Sequence, residues 1–197
     1  MAEYRIWPAT DGPASAFNDS NPISQGTEFF VSSPAWVTKI WYWRATVAMG
    51  AGPDPVLGQI YRIDGGGLAT PLIGTPVEFA APVILGWQSV SITPILLTSI
   101  QRYKTVVYYP TGEYTATPGN NYWTTGGPGE TGITNGPLTA VNGADANDGQ
   151  SSYHIGVGLQ YPTNSSSAPN FWIDVSVTDT DPTSSPAKRS AFMAFFE

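Results

Sequence analysis

Glycine and proline recur so often that few stretches of this chain are long enough for a helix. The 197 residues include 21 glycines and 18 prolines. Proline removes a backbone donor and clashes with the preceding helical turn, and both residues favour turns. Between these turn signals, runs rich in β-branched and aromatic residues predict eight strands, at 26–32, 37–44, 56–63, 68–79, 88–92, 103–109, 154–159 and 171–178.

Short strands at this spacing predict an all-β protein, a single antiparallel jelly-roll-like β-sandwich. Residues 103–109 are almost uniformly apolar, which predicts a central strand covered on both faces. Residues 171–177 show the period of two expected of a strand with one buried face. Four apolar residues alternate there with three others, the first set being Phe171, Ile173, Val175 and Val177 and the second Trp172, Asp174 and Ser176.

Three regions flank or interrupt the predicted strands. We expect an irregular N-terminal lead-in at 1–23, a sandwich domain at 24–179, and a C-terminal extension at 180–197 that begins as a linker. Residues 118–152 are rich in Gly, Asn and Thr and predict a long loop of the kind that is usually functional or disordered. The extension ends in apolar residues that we expect to contact a neighbouring subunit or the chain's own domain: Phe192, Met193, Phe195 and Phe196.

Few side chains in this sequence can carry out catalysis. There is one histidine and no cysteine, and charged residues make up 12% of the chain, against roughly 25% in an ordinary soluble domain. Acid–base and nucleophilic catalysis need such groups held in a pocket. His154 is the only histidine available to a serine triad, and no G-x-S-x-G elbow occurs. We therefore expect a structural or surface histidine, no catalytic residue and no enzyme.

Charge and composition also exclude several kinds of partner. The net charge of −7 argues against nucleic acid, which needs a basic surface. Without cysteine there is no thiolate metal site, and the oxygen-rich loop with Asn142, Asp145 and Asp148 lacks the ligand pattern of a calcium loop. We expect an Asx-rich turn there, no metal and no cofactor. No window approaches the roughly 20 apolar residues of a membrane span, so no membrane insertion is expected.

Six phrases of the chain point to one family. In order, they are GTEFFVSSP at 26–34, VTKIWYWR at 37–44, GWQSV at 86–90, YKTVVYYPTGEY at 103–114, GPLTA at 136–140 and NFWIDV at 170–175. Together they resemble the bacterial β-sandwich family called domain of unknown function 4082, over about residues 20 to 178. Trp41 and Trp43 are more aromatic than the family's usual residues, and the C-terminal extension is not covered.

That resemblance implies two kinds of role. In larger proteins the family resembles an accessory module of secreted, often carbohydrate-active bacterial proteins. Free-standing copies without a signal sequence are similar to minor tail or virion proteins of phages that infect actinobacteria. The family has no agreed catalytic residues, so the resemblance supplies none for this chain.

Aromatic side chains are the best candidates for binding residues. Trp41 and Trp43 are two residues apart in a predicted strand, on the face opposite Ile40 and Tyr42. Exposed, they would suit a sugar ring or a partner subunit, and covered by a second layer they would be core.

Further candidates lie outside that strand. Tyr114, Tyr122 and Trp123, on or beside the long loop, are candidate glycan contacts or rings that fix the loop in place. Asp174 is a candidate anchor of a buried polar network, or a ligand for a hydroxyl group.

The sequence and the resemblance favour a non-enzymatic bacteriophage virion protein, a minor tail or outer decoration protein that contributes to assembly and host-surface contact. Its expected partners are other virion proteins, further copies of itself and a host-surface glycan. No signal peptide is recognisable, so we expect synthesis in the host cytoplasm and a final location in the virion, or outside the cell. The alternative is a carbohydrate-binding accessory module of a secreted or surface system.

Overall fold

A computed structural model of the chain describes residues 2–13, 15–46, 56–80, 84–117, 122–147, 149–165 and 168–184. Those ranges contain strands and turns but no helix, and thus no helix that could span a membrane. The strands, in chain order, are β1 Glu3–Tyr4, β2 Ser15–Asn18, β3 Ile23–Val31, β4 Ala35–Arg44, β5 Leu57–Gly65, β6 Leu68–Pro71, β7 Val77–Glu78, β8 Gly86–Leu97, β9 Arg102–Tyr109, β10 Glu113–Ala116, β11 Ile133–Asn135, β12 Leu138–Ala140, β13 Ser151–Ile155, β14 Asn164–Ser165 and β15 Ile173–Thr178.

The strands form two antiparallel sheets that pack as a sandwich, together with one small ribbon. The smaller sheet has the order β1-β15-β4-β8, and the larger follows β11-β12-β3-β9-β5-β6, with β13 beside β3, β14 beside β13 and β7 beside β5. Strands β2 and β10 form the ribbon. All the registered pairs are antiparallel, including the pairing of β3 with β9 along eight residues. The predicted all-β antiparallel sandwich is confirmed.

The core lies between the two sheets and follows the period of two in their strands. From the smaller sheet, Ile40 and Tyr42 of β4 and Val175 of β15 point inward and are fully buried. From the larger sheet, Phe29 of β3 and Val107 of β9 meet them, also fully buried. Ile173, Val175 and Val177 of β15 are buried in the core as predicted, but the prediction of one buried face is wrong, because the N-terminal residues and β4 side chains cover the other face as well. Strand β9 lies between β3 and β5 and is buried on both faces, as its apolar sequence predicts.

Several strand boundaries differ from the prediction. The run 68–79 is two short strands, because Pro71 and Pro76 cannot donate a ladder hydrogen bond. Strand β13 ends at Ile155, before glycines at 156 and 158 that turn the chain, so the run 154–159 is mostly turn. The predicted long loop at 118–152 carries the β11–β12 hairpin, which extends the larger sheet by pairing β12 with β3.

The N-terminal 23 residues contribute regular structure that their sequence did not indicate. Strand β1 pairs with β15, β2 pairs with β10, and β3 already begins at Ile23. Between the first two strands, Ile6 and Trp7 are each 2% exposed and belong to the core. The interpretation of residues 1–23 as an irregular lead-in is therefore corrected, since long-range pairing orders them.

Candidate binding site on the outer sheet face

Indole rings collect on the outer face of the smaller sheet. Trp41 and Trp43 alternate with the inward Ile40 and Tyr42 on β4, so both point outward, as predicted. Trp87 on β8 is the cross-strand partner of Trp43, and their ring centroids lie 5.5 Å apart. Both rings of β4 are half-buried rather than exposed, which means that another part of the chain covers this face.

Residues 3–12, here called the strap, supply that cover. Trp7 lies at its centre and packs on three indoles, with ring centroids 6.2 Å from Trp87, 6.0 Å from Trp123 and 5.5 Å from Trp172. The strap is fixed at its far end by the Trp87 Nε1, which donates to the carbonyl of Asp11 at 3.0 Å. Trp7 therefore joins β8, the long loop and the loop before β15 into a single aromatic cluster, to which Trp43 of β4 is linked through Trp87.

Arg5 occupies a cage on the same face. Its guanidinium carbon lies 4.0 Å from the ring centroid of Trp41 and 4.4 Å from that of Trp87, within the range of a cation–π contact on both sides. Its Nε donates to Oδ2 of Asp174 at 3.2 Å. Two indoles and a carboxylate thus enclose one cation of the chain itself, so that the two alternatives for Trp41 and Trp43, an exposed platform or a covered layer, are decided in favour of a layer covered by the strap.

Asp174 is the polar centre of the site and is fully buried. Besides Arg5, it accepts backbone N–H bonds from Ile6 at 2.9 Å, Trp7 at 3.3 Å and Val175 at 2.7 Å. Burial raises the pKa of Asp174 from 3.8 to about 6, even though Arg5 and the three backbone donors favour its charged form. Of the two roles considered for Asp174, the structure assigns the anchor of a buried polar network.

The two aromatic candidates of the long loop also join this cluster. Trp123 is 1% exposed, and the backbone of Gly129 lies so close to its ring that a Cβ there would overlap it. The hydroxyl of the half-buried Tyr122 accepts a hydrogen bond from Trp7 Nε1 at 3.2 Å. Trp123 therefore fixes the loop in place, the second of the two roles considered for it, and Tyr122 links the loop to the strap.

Tyr114 lies away from the cluster, on the β2–β10 ribbon. Its ring stacks on Phe17 with centroids 5.6 Å apart, and its hydroxyl donates to Asp19 Oδ2 at 3.0 Å. Burial raises the pKa of Tyr114, and the neighbouring Asp19 carboxylate adds to the effect. The ring is half-buried, so one edge of it remains accessible beside carboxylate and amide groups.

Two further predictions concern chemistry at other places. His154 lies on β13 opposite Ser24, with its ring against Gly156. In the loop with Asn142, the side chain of Asn142 both donates to Asp145 Oδ2 and accepts from the Asp145 N–H, each at 2.8 Å, so these side chains hold a local turn. Within the described ranges, no group of three His, Cys, Asp or Glu side chains is placed to hold a metal ion.

Sequence reasoning missed an apolar patch at one end of the sandwich. Ile100, in the turn between β8 and β9, is 88% exposed and has a φ of +72°. Leu96 on β8 and Leu68 at the start of β6 are 50% and 69% exposed. Gln101 Nε2 donates to the Ile63 carbonyl at 2.8 Å, which holds the Ile100 turn beside the β5–β6 turn. These three exposed side chains lie at the end of the sandwich where the β8–β9 and β5–β6 turns are adjacent, and they are here called the turn patch.

The predicted subunit contacts of the C-terminal extension, Phe192, Met193, Phe195 and Phe196, lie outside the described residues.

Comparison of the sequence with known protein families gives a match. A family model described as "Domain of unknown function (DUF4082)" matches residues 10–173. No curated protein matches the chain. The matched range includes the indoles from Trp41 to Trp172, whereas Arg5 and Trp7 precede it and Asp174 follows it.

Proposed function

The chain belongs to the family of Domain of unknown function (DUF4082), and from that premise we propose that it is a non-enzymatic structural protein of a bacteriophage particle. In this role it is a minor tail or outer decoration protein, held by contacts with further copies and other particle proteins. It also contributes to contact with the host surface.

The turn patch is the observation that carries this proposal. A β-branched residue with positive φ is a genuine outlier, and the left-handed conformation costs an L-residue about 1–2 kcal/mol. Ile100 adopts it in a turn where Thr98 N–H donates to the Tyr103 hydroxyl at 2.9 Å, so the turn is fixed and its apolar side chain projects into solvent. Backbone strain that the fold does not use for its own packing supports a function in contact with another surface.

The rest of the surface is suited to contact rather than chemistry. Strand β8, at one edge of the smaller sheet, has twelve residues and no charged side chain. The edge is open to pairing with another chain along residues 86–93, and Pro94 and the register shift opposite it limit pairing beyond that point. With the turn patch, the domain therefore has two surfaces suited to contact, one with free backbone groups and one apolar.

Mass spectrometry of purified particles tests the location, because the chain should be present in a fixed ratio to the major tail or capsid protein. Sedimentation tests the contact. We expect the wild-type chain to self-associate and the Ile100→Asp variant to lose most of that association. The matched control is Val157→Asp, which changes an 84% exposed valine on the turn after β13. Absence from particles, or equal association of the two variants, would overturn the proposal.

The second candidate function is a carbohydrate-binding module, and the Tyr114 ribbon favours it. The accessible part of this half-buried ring lies next to Asp19, with Asn18 and Glu113 on the paired strands, and offers apolar contact together with hydrogen-bonding groups. A glycan array with the isolated chain tests this function. Binding that is abolished in Tyr114→Ala and kept in Tyr161→Ala, which changes a half-buried tyrosine packed on Tyr61, favours the module. If the wild-type chain binds no glycan on the array, this candidate is wrong.

A further inference from the structure

The site beneath the strap recognises a particular peptide segment. Strand β1 pairs in register with β15, Glu3 opposite Thr178 and Tyr4 opposite Val177. Beyond this ladder, the Arg5 guanidinium lies between the indoles of Trp41 and Trp87. The backbone carbonyl of Arg5 accepts a hydrogen bond from Asn135 Nδ2 at 2.9 Å. The site therefore contacts the backbone, the charge and the aromatic ring of residues 3–7, as a peptide-binding site does.

Strand β1 is the outermost strand of the smaller sheet. A strand at that position can be replaced by an identical strand from another molecule without displacing any other element of the sheet. The strap ends at Gly12, and β2 begins at Ser15, after two intervening residues. Its contacts can thus be broken as one unit, while the pairing of β15 with β4 and of β4 with β8 is kept.

An empty site is unfavourable, which makes exchange preferable to simple release. Removal of Trp7, 2% exposed when bound, would uncover the rings of Trp87, Trp123 and Trp172 together. Asp174 would lose the Arg5 guanidinium and two of its backbone donors. Both losses are repaired when the same segment of another copy enters the site, as in domain swapping.

We propose that the strap is exchanged between copies, so that residues 3–12 of one molecule fill the site on the outer sheet face of its neighbour. The inference rests on the proposed role in particle assembly. Contacts are the same within one chain and between two chains, so concentration decides between the two arrangements. Because the strap and its site belong to one chain, their effective concentration is on the order of mM, and copies packed side by side in a particle compete with it.

Disulfide trapping tests the exchange, since the chain has no cysteine of its own. One preparation carries Glu3→Cys and another carries Thr178→Cys, two positions that face each other only when β1 is paired with β15. The two are mixed at increasing concentration, incubated and oxidised, and the heterodimer is measured by mass. We expect the fraction of chains in the heterodimer to rise about tenfold for each tenfold rise in total concentration below the mM range.

The controls separate exchange from random oxidation. Arg62→Cys and Thr70→Cys, on separate chains, form a registered pair within the β5–β6 hairpin and should give only the random level. Adding Arg5→Ala and Trp7→Ala to the Glu3→Cys chain should reduce the trapped heterodimer to that level too. The Glu3→Cys/Thr178→Cys double variant, oxidised when dilute, should stay monomeric and block exchange.

A heterodimer no more abundant than the hairpin control at mM concentration overturns the exchange. That failure is distinct from failure of the proposed function, which is decided by the presence of the chain in particles and by the Ile100→Asp variant. If both cysteine variants sediment as folded monomers and the dilute double variant closes its disulfide, the site is intact. A negative result in the mixture then counts directly against the proposal.

Discussion

Replacing Asp174 by asparagine should change how the stability of this protein depends on pH. Asp174 is fully buried, and its pKa is raised from 3.8 to about 6, with burial the largest cause. A raised pKa means that the folded state binds the proton more tightly than the unfolded state does. The stabilisation is therefore complete below about pH 3.8 and is lost as the pH rises through about 6.

The magnitude follows from the shift. A change of about 2 pKa units at 1.36 kcal/mol per unit gives on the order of 3 kcal/mol between the acid limit and neutral pH. Between about pH 4 and pH 7.5, the wild-type free energy of unfolding should fall by about 2–3 kcal/mol relative to that of Asp174→Asn. The comparison with the variant is needed because the pKa values of Glu3, Asp64 and Asp181 are lowered, so these groups contribute the opposite slope.

Denaturant unfolding followed by tryptophan fluorescence, repeated across this pH range, measures the difference. Asp64→Asn is the control. Hydrogen bonds from Thr70 and Arg62 lower the pKa of Asp64, so its contribution is lost as the pH falls. If the wild-type and Asp174→Asn curves run parallel, or if the wild-type advantage grows toward neutral pH, the account of Asp174 as a carboxylate strained by burial is wrong.

Three other substitutions test separate parts of the structure. Trp7→Ala removes a fully packed indole and should cost about 3–5 kcal/mol, seen as a lower unfolding midpoint and a red-shifted fluorescence maximum in the folded state. Ile100→Gly should stabilise the fold by about 1 kcal/mol in thermal unfolding, because glycine accepts the φ of +72° without strain. Gly136→Ala should destabilise it by more than 1 kcal/mol, since φ is +58° there and a Cβ would overlap the ring of Tyr4.

Local sequence patterns were sufficient to predict the face of the sheet on which a residue lies, because that depends on strand geometry alone. The period of two in β4 placed Trp41 and Trp43 on one face, and the same period placed Asp174 outward on β15. Both placements follow from the pleat, which needs no knowledge of the partner strand. The antiparallel sandwich was predictable for a similar reason, because turn signals at short intervals leave few alternatives.

What covers the outer face was not predictable in this way. Arg5 and Asp174 are 169 positions apart in the sequence, and no local pattern connects them. The segment around Trp7 contains Pro8 and has no alternation that would predict pairing, since its order comes from side chains of other elements. The turn patch could not be predicted for the same reason, because the β8–β9 turn lies beside the β5–β6 turn only through the register of β9 with β5.

The strap makes two kinds of contact with the sheet, the packing of Trp7 on three indoles and the hydrogen bonds to Asp174. The first is not specific for one register of the strap, whereas the second is. Indole packing stabilises the strap through apolar burial, which is non-directional and does not by itself fix which residue of the strap lies at which ring. A buried carboxylate does fix the register, because a displaced strap would leave its oxygens without the N–H groups of Ile6 and Trp7. Keeping Asp174 charged at neutral pH costs on the order of 3 kcal/mol. Buried polar groups can fix register in this way, and a fixed register is what allows an identical segment from a second molecule to fit the same site.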